Sequence, residues 1–276
     1  MQKALLGSLL IIVLPVLSFA LPPLEVHFID VGQGDAILFK AQNDVNILID
    51  TGCLSGAHKL KQYLKCQKVA AFKAILITHF HQDHVGGLFS LFPEFTVQKI
   101  YDNGVAVPAD NFWVEYIIMI DELKLSRAVL KRGGSLKFGD LNIDVLNPPD
   151  QITHDINTDS LAFKISYGNV KFLMAGDMTL RSEQRLFSEN FDLQGEILKV
   201  GHHGAADATS ERFLQAVNPQ IAVVCVGENN RFGYPSPEVI NRIKKMNIRL
   251  FRTDIDGTVV VKTDGKKITA FSERLR

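Results

Sequence analysis

The chain contains the stretch Ile75-Leu76-Ile77-Thr78-His79-Phe80-His81-Gln82-Asp83-His84-Val85-Gly86-Gly87, which begins as an apolar strand and continues into three histidines and one aspartate within six positions. Neutral imidazoles and carboxylates are ligands of Zn²⁺ and Mn²⁺ at neutral pH. His79 and His81 point to the same side of an extended segment and can hold one ion. Asp83 and His84 follow in a turn and can hold a second. The alternative is a polar loop with hydrogen-bonded histidines, but three of the eight histidines lie here, which favours a metal site.

The pattern of apolar residues around this stretch predicts two runs of strands, each with helices after it. Two facing sheets with helices outside, a four-layer αββα sandwich of the mixed α/β class, fit this order. The pair Gly168-Asn169 predicts a tight hairpin, and the helix 110–125 is expected to flank the site. The predicted strands are 24–29, 36–39, 45–49, 97–101, 136–138, 141–146, 161–167, 170–174, 196–200, 221–226, 248–252, 258–262 and 267–271. The predicted helices are 55–67, 85–91, 110–125, 180–189, 210–217 and one capped by Ser236-Pro237-Glu238.

Length and charge limit the classes of protein to which the chain can belong. Its 276 residues, 46% of them apolar, can bury one substantial core, so a second domain is not expected. Thirty basic residues balance thirty acidic ones. A nucleic-acid-binding protein usually has a basic excess. No basic patch is evident from the composition, which gives no support to DNA as a substrate. A local cluster of basic residues is still compatible with this balance of charges.

The first twenty residues have the pattern of a secretory signal peptide. Lys3 precedes an apolar run from Ala4 to Leu17, and Ser18-Phe19-Ala20 places small residues where cleavage needs them. The run is short for a membrane span, which needs about 20 apolar residues. We expect export to the periplasm or the medium, with residues 21–276 as the mature domain and no stable membrane anchor after cleavage. An uncleaved anchor is the alternative.

Three cysteines are too few for a disulfide framework. In an oxidising compartment Cys53 and Cys66 could pair, or both could stay free. Cys225 lies in an apolar run that predicts a buried strand, where a free thiol behaves as a small apolar side chain.

Two further places carry side chains suited to metal binding. Asp177 follows the predicted strand 170–174 and precedes a helix, so its carboxylate fits either a helix cap or a bridge between cations, which lie about 3.5 to 4 Å apart in two-metal sites. His202 and His203 follow another apolar strand and precede Gly204. They are either site residues or a hydrogen-bonded pair in a loop.

The first stretch resembles the HxHxDH motif of the metallo-β-lactamase superfamily. Further motifs narrow the resemblance to the C-terminal hydrolase domain of ComEC-type competence proteins, which act in DNA internalisation, and the likeness runs from Leu24 to Phe271. These motifs are, in chain order, Asp30-Val31-Gly32-Gln33-Gly34-Asp35-Ala36, Ile49-Asp50-Thr51-Gly52, Ala175-Gly176-Asp177, Lys199-Val200-Gly201-His202-His203-Gly204 and Asn230-Arg231-Phe232-Gly233-Tyr234-Pro235.

The resemblance implies the αββα fold and a site for two divalent cations, Zn²⁺ or Mn²⁺. It makes Asp177 the bridging carboxylate and Asp50 a residue that orders the metal loop without binding metal. His202 is the preferred ligand or substrate contact, with His203 as the second choice. The implied ligands are His79, His81, Asp83, His84, Asp177 and His202, and the residues expected to carry the reaction are Asp83, Asp177 and His202.

The chain departs from the resembled pattern at two places. The family usually has a histidine of the second metal site before the proline of the last motif, where this chain has Tyr234. A phenol with a pKa near 10 is a poor ligand at neutral pH, so the second ion is expected to bind weakly, or Tyr234 contacts substrate. In the stretch 154–160, Asn157 and Ser160 match the ComEC branch, and His154 is a candidate for a histidine that many superfamily members carry.

Paired cations lower the pKa of a shared water and neutralise charge on an anionic oxygen, and this chemistry hydrolyses several classes of ester and amide. The chain lacks the cysteine ligand of antibiotic-hydrolysing members. The resemblance implies hydrolysis of phosphodiesters, with DNA or a choline phosphodiester as candidate substrates. A hydrolase of another ester or amide, and a non-catalytic binding protein that keeps the fold with a weakened metal site, are the alternatives.

Overall fold

A computed structural model describes residues 21–92, 94–107 and 111–273. The predicted signal peptide lies outside these ranges, as does the predicted first residue of the helix 110–125. Within the described part of the chain, no helix is long and apolar enough to cross a membrane. The strands are β1 (Leu24–Phe28), β2 (Ile37–Lys40), β3 (Asn46–Ile49), β4 (Ala71–Phe72), β5 (Ala74–Ile77), β6 (Thr96–Val97), β7 (Ile100–Asp102), β8 (Arg127–Val129), β9 (Ser135–Phe138), β10 (Leu141–Asn147), β11 (Ala162–Tyr167), β12 (Val170–Met174), β13 (Ile197–Lys199), β14 (Ile221–Val224), β15 (Arg249–Arg252), β16 (Thr258–Thr263) and β17 (Ile268–Glu273).

Two large sheets face each other. The first has the order β17-β16-β1-β2-β3-β5-β7-β8, and the second has the order β15-β14-β13-β12-β11-β10-β9. Their inner faces interdigitate, for example where the rings of Phe39 and Phe172 meet with centroids 5.5 Å apart. Helices cover both outer faces, which confirms the predicted αββα sandwich in a single domain. These helices are α1 (Ala57–Cys66), α2 (Gln82–Val85), α3 (Asn111–Glu122), α4 (Leu180–Ser188), α5 (Glu211–Val217), α6 (Pro237–Lys245) and α7 (Thr253–Asp256).

Strand β5 lies between the second sheet and a layer of helices, and its sequence is apolar on both faces. Ala74 and Leu76 face the second sheet, whereas Ile75 and Ile77 face the helices α1 and α3. Side chains alternate between the faces of a strand, so a strand covered on both sides must be apolar throughout. The polar loop that follows β5 therefore starts where the sandwich ends.

Parallel pairing brings the site together at one edge of the sandwich. In the first sheet β3, β5 and β7 run parallel, and in the second sheet β12, β13 and β14 do so. The carboxyl ends of parallel strands lie at the same edge of a sheet. Asp50, the histidine loop, Asp177 and the pair His202-His203 each follow one of these strands.

The local structure departs from the predicted elements at several places, two of which lie near the histidine loop. The helix predicted over 85–91 is instead α2, which starts at Gln82, followed by a 3₁₀ turn at Leu88–Ser90. The prediction relied on the spacing of apolar residues, so it did not detect a helical turn that begins with polar residues. The strand predicted over 97–101 is split because β6 pairs with β4, whereas β7 pairs with β5. The predicted hairpin is confirmed, since Tyr167 pairs with Val170 across its two-residue turn.

The three cysteines are free thiols in the structure, so the pairing considered for Cys53 and Cys66 is not formed. The sulfur atom of Cys53 lies 2.9 Å from the hydroxyl oxygen of Ser55. Cys66 is exposed near the end of α1, and Cys225 is buried as predicted.

Gly87 packs the end of the histidine loop against the segment that follows β3. A methyl group at this position would lie 2.1 Å from the carbonyl oxygen of Thr51. We predict that Gly87→Ala lowers the free energy of unfolding by about 1 to 3 kcal/mol, the usual cost of overpacking. Gly195→Ala is the control, because its added methyl group meets only an ordinary contact at 3.4 Å, and its effect should stay below about 1 kcal/mol. Equal midpoints of urea unfolding for the two variants would contradict the prediction.

Candidate metal centre

The carboxylate of Asp50 fixes the histidine loop by accepting hydrogen bonds from Thr78 and His84. Its two carboxylate oxygens accept hydrogen bonds from the backbone N–H and the hydroxyl of Thr78, both at 2.7 Å. A third bond of 2.7 Å comes from Nδ1 of His84. Because Nδ1 of His84 carries the proton, its Nε2 is free to face the centre as a ligand. Asp50 and His84 are fully buried, which limits any other orientation of the ring.

One group of ligand atoms surrounds Asp177. Nε2 of His84 lies 3.2 Å from Oδ2 of Asp177, and Nε2 of His79 lies 3.8 Å from the same oxygen. Nδ1 of His81 lies 3.1 Å from Nε2 of His79. Three imidazoles thus converge beside one carboxylate. His79, His84 and Asp177 present ligand atoms within 4.8 Å of one another.

A second group of ligand atoms lies on the other side of His84. Nε2 of His203 is 3.2 Å from Nε2 of His84, 3.2 Å from Oδ2 of Asp83 and 3.4 Å from Oδ2 of Asp177. The other ring nitrogen of His203 donates a hydrogen bond of 2.8 Å to the carbonyl of Cys225. Since a carbonyl only accepts, this bond turns the lone pair of Nε2 toward the cluster.

The geometry favours His203 over His202 as a metal ligand, whereas His202 was the preferred residue in the prediction from sequence. His203 is buried within the cluster, whereas Nε2 of His202 lies 4.0 Å from Asp177 and 3.2 Å from the amide nitrogen of Asn157. Both residues have left-handed backbone angles, with φ of 46° and 52°. This turn sends the two rings in different directions. His203 therefore lies among the candidate ligands, and His202 lies at the rim of the cavity.

The remaining predicted residues fall into two sets. Asn157 and Tyr234 line the cavity above the cluster, and the hydroxyl of Ser160 accepts a hydrogen bond of 3.0 Å from the backbone N–H of Asp177. The Tyr234 ring is stacked on that of His203, with centroids 6.4 Å apart. His154 is exposed and does not line the cavity, so its position gives no support to a role as the histidine of other superfamily members.

The prediction from sequence missed a buried ion pair that joins the two sheets beneath the cluster. Nζ of Lys199 lies 2.5 Å from Asp35, 2.8 Å from the carbonyl oxygen of Gly176 and 3.5 Å from Asp177. Asp35 comes from the loop after β1, and Lys199 ends β13. A lysine in the apolar segment Ile197-Leu198-Lys199-Val200 was the available indication, because buried lysines are rare unless paired.

The charges of the cluster fit a cation. The cluster contains four carboxylates, two of which, those of Asp35 and Asp177, lie beside the ammonium of Lys199, while those of Asp50 and Asp83 lie beside His84 and His203. Unbalanced buried charge is costly. The excess negative charge, together with imidazole and carboxylate donors, matches the ligand preferences of Zn²⁺ and Mn²⁺.

Protonation of the histidines follows the same imbalance. Burial opposes charge on His84, but the carboxylates of Asp177 and Asp50 outweigh it and raise its pKa well above the usual value. The pKa of His203 is raised in the same way, chiefly by Asp177 against the effect of burial. Burial and the neighbouring charge on His84 lower the pKa of His79 and His81. The raised pKa values favour protons on His84 and His203 where no cation is bound, and metal binding would release such protons.

The cluster forms the floor of an open cavity of about 830 Å³. Polar side chains surround the ligands, and aromatic rings stand near the opening. The lining residues that matter here are Gln33, Asn157, Phe112, Arg231, Phe232 and Tyr234.

The chain belongs to the metallo-beta-lactamase superfamily, whose family model matches residues 29–228. Within that class it is similar to ComE operon protein 3 of Bacillus subtilis, at 30% identity over 85% of this chain and 32% of that protein. It is also similar to competence protein ComA of Neisseria gonorrhoeae, at 26% identity over 83% of this chain and 31% of that protein. The chain thus spans about a third of the length of these relatives.

A solved structure supports the same fold. The metallo-beta-lactamase fold protein YhfI from Bacillus subtilis superposes with a TM-score of 0.60 at 15% sequence identity, covering 87% of this chain and 99% of that protein. At such low identity the likeness concerns the architecture alone.

We predict that His203→Ala weakens the binding of Zn²⁺ by about 100-fold or more, because it removes a nitrogen from the floor of the cluster and exceeds the usual effect of outer-sphere losses. His202→Ala, the matched change at the neighbouring position, should weaken binding less than about tenfold. Competition with a fluorescent zinc chelator measures both affinities. If His202→Ala has the larger effect, the reversed assignment fails.

Proposed function

We propose that this protein is a metal-dependent phosphodiesterase that acts on nucleic acid outside the cytoplasm. The observation that carries the proposal is the excess of carboxylates among converging imidazoles at the floor of an open cavity. Membership of the superfamily supports metal-dependent hydrolysis, and the competence-related relatives support a nucleic acid as the substrate. The chain spans about a third of the length of those relatives. A role of a full-length relative is therefore assigned to this chain only as part of this proposal.

The ligand groups would be His79, His81 and Asp177 on one side and Asp83, His84 and His203 on the other. These residues would hold divalent cations, and the chemistry that such ions would supply is activation of water at neutral pH and neutralisation of charge on the phosphoryl oxygens. The fixed partners of the ligands, Asp50 for His84 and the Cys225 carbonyl for His203, hold the imidazoles in the tautomer that exposes Nε2.

His202 and Asn157 are placed to handle the substrate. His202 is 15% exposed, and its Nδ1 lies 3.3 Å from a carboxylate oxygen of Asp207. Its Nε2 lies 3.2 Å from the amide nitrogen of Asn157, and both residues line the cavity. With a proton on Nε2, the His202 imidazole would donate it to a leaving oxygen, and Asn157 can donate a hydrogen bond to a phosphoryl oxygen.

The presence of Tyr234, in place of the histidine usual in the family, supports weaker binding at the second cation site. Burial and the charge of Asp207 raise the pKa of the phenol above its usual value. A protonated phenol is a poor ligand at neutral pH, so the group with Asp83 would rely on His84, His203 and the shared Asp177. The same observation favours the second candidate function, a binding protein that keeps the fold without hydrolysis.

We predict that His81→Ala and Asp177→Asn each reduce metal-dependent hydrolysis of bis(p-nitrophenyl) phosphate by at least about 100-fold, since each removes a ligand needed to activate water. His58→Ala, which changes an exposed histidine of α1, is the control and should keep full activity. Thermal unfolding should show that all three variants fold. Unchanged rates in both ligand variants, or no hydrolysis by the wild type with Zn²⁺ or Mn²⁺, would refute the proposed function.

Export is a separate part of the proposal, supported by the pattern of residues 1–20 alone. Protein recovered from outside the cytoplasm of its native host should begin at Leu21, because cleavage is expected after Ala20. Mass spectrometry of the N-terminal peptide decides this. Detection of full-length chains in the cytosol only would rule out export.

A further inference from the structure

The loop that carries Tyr234 is held rigid by one side chain. The amide nitrogen of Asn230 donates hydrogen bonds of 3.0 and 2.7 Å to the carbonyls of Gly227 and Tyr234. Its amide oxygen accepts bonds of 3.2 and 3.0 Å from the backbone N–H groups of Phe232 and Tyr234. The exposed tip of the loop therefore has a defined shape before any ligand arrives, which lowers the entropic cost of binding.

Aromatic rings on this loop form a series that leads from the cavity mouth to the metal cluster. The rings of Phe232 and Tyr234 are nearly parallel, at 15° with centroids 5.4 Å apart. The Tyr234 ring is in turn stacked at 26° on that of His203. Phe232 nevertheless remains 49% exposed and lines the cavity. Single exposed apolar side chains are common, but this one is held on a fixed loop, aligned with a ligand histidine.

Arg231 adds positive charge to this aromatic surface. Its guanidinium lies 5.0 Å from the centroid of the Phe232 ring, and the residue lines the same cavity. Guanidinium groups both stack on planar rings and bind phosphates. A ring and a cation at the mouth of a cavity are the features with which proteins bind single-stranded nucleic acids.

We propose that Arg231, Phe232 and Tyr234 form a base-stacking platform that receives a nucleobase next to the phosphodiester bound at the cluster. The proposal rests on the proposed function and narrows its substrate class to single-stranded nucleic acid. In a duplex the base faces are already stacked on their neighbours, so a platform of this kind selects unpaired bases.

A choline head group is the other ligand that aromatic rings could hold in this place, since quaternary ammonium ions bind to aromatic faces. Arg231 opposes that ligand, because its positive charge lies beside the same ring. It favours a phosphate-bearing ligand with a planar, uncharged base.

The chain offers a matched control. Phe271 on β17 is 37% exposed and has the ammonium of Lys262 5.5 Å from its ring centroid. The pair likewise places a cation beside an exposed phenylalanine ring, but it lies outside the cavity lining. Changes at Phe271 therefore report the general effect of removing an exposed ring beside a cation.

The test measures fluorescence anisotropy with a labelled phosphorothioate oligothymidylate, which resists hydrolysis, and with an abasic oligonucleotide of equal length and charge. The metal-loaded wild type should bind the oligothymidylate about 5- to 150-fold more tightly, the fold-change expected for one stacked base. Phe232→Ala and Phe232→Leu should lose this preference, Phe232→Tyr should restore it, and Phe271→Ala should keep it. Equal binding of the two oligonucleotides by the wild type, or an equal loss in Phe271→Ala, would overturn the platform.

Two further measurements separate the alternatives. Thymidine 5′-monophosphate should compete with the labelled oligothymidylate better than phosphocholine does, and the reverse order would assign the rings to a quaternary ammonium. Metal-dependent cleavage of an unmodified abasic oligonucleotide, at a concentration high enough that its weaker binding does not limit the rate, tests the proposed function without any base. Cleavage without a base preference in binding refutes the platform alone, whereas absence of cleavage refutes the hydrolase and leaves the binding result to decide the platform.

Discussion

The buried negative charge at the edge of the sandwich constrains the rest of the site. Asp35, Asp50 and Asp177 are buried at the same edge, where unpaired carboxylates would be strongly unfavourable. Lys199 neutralises part of this charge by pairing with Asp35 across the two sheets. The remaining carboxylates are balanced by protonated imidazoles or by bound cations, so folding and metal binding depend on the same set of charges.

The topology of the two sheets brings these charges together at one edge. Parallel strands of both sheets end at one edge, and each end supplies one or two polar residues. Backbone contacts then fix the loops, such as the bond from the N–H of Asp35 to the carbonyl of Asp83 and that from Thr51 to the carbonyl of His84. The candidate ligands thus follow the ends of buried strands, whereas the aromatic loop with Phe232 and Tyr234 lines the cavity above them.

Much of this arrangement could be predicted from the sequence because it is local. Alternation and apolar runs gave the sandwich, and the spacing of His79, His81 and His84 indicated convergent ligands. The Asp35–Lys199 pair could not be predicted, because it joins residues far apart in the chain. The different placement of the His202 and His203 rings could not be predicted, because adjacent residues in left-handed conformations do not alternate as they do in a strand. The splitting of the strand 97–101 depended on the pairing partners alone.

We infer that the cluster around Asp177 binds divalent cations. The most direct measurement is the metal content of the protein by plasma mass spectrometry, after treatment with a chelator and reloading with Zn²⁺ or Mn²⁺. We expect one tightly bound ion per chain and a second that binds more weakly, with loss of the tight ion in Asp177→Asn. A wild-type protein that retains no metal after reloading, or an Asp177→Asn variant with unchanged stoichiometry, would contradict it.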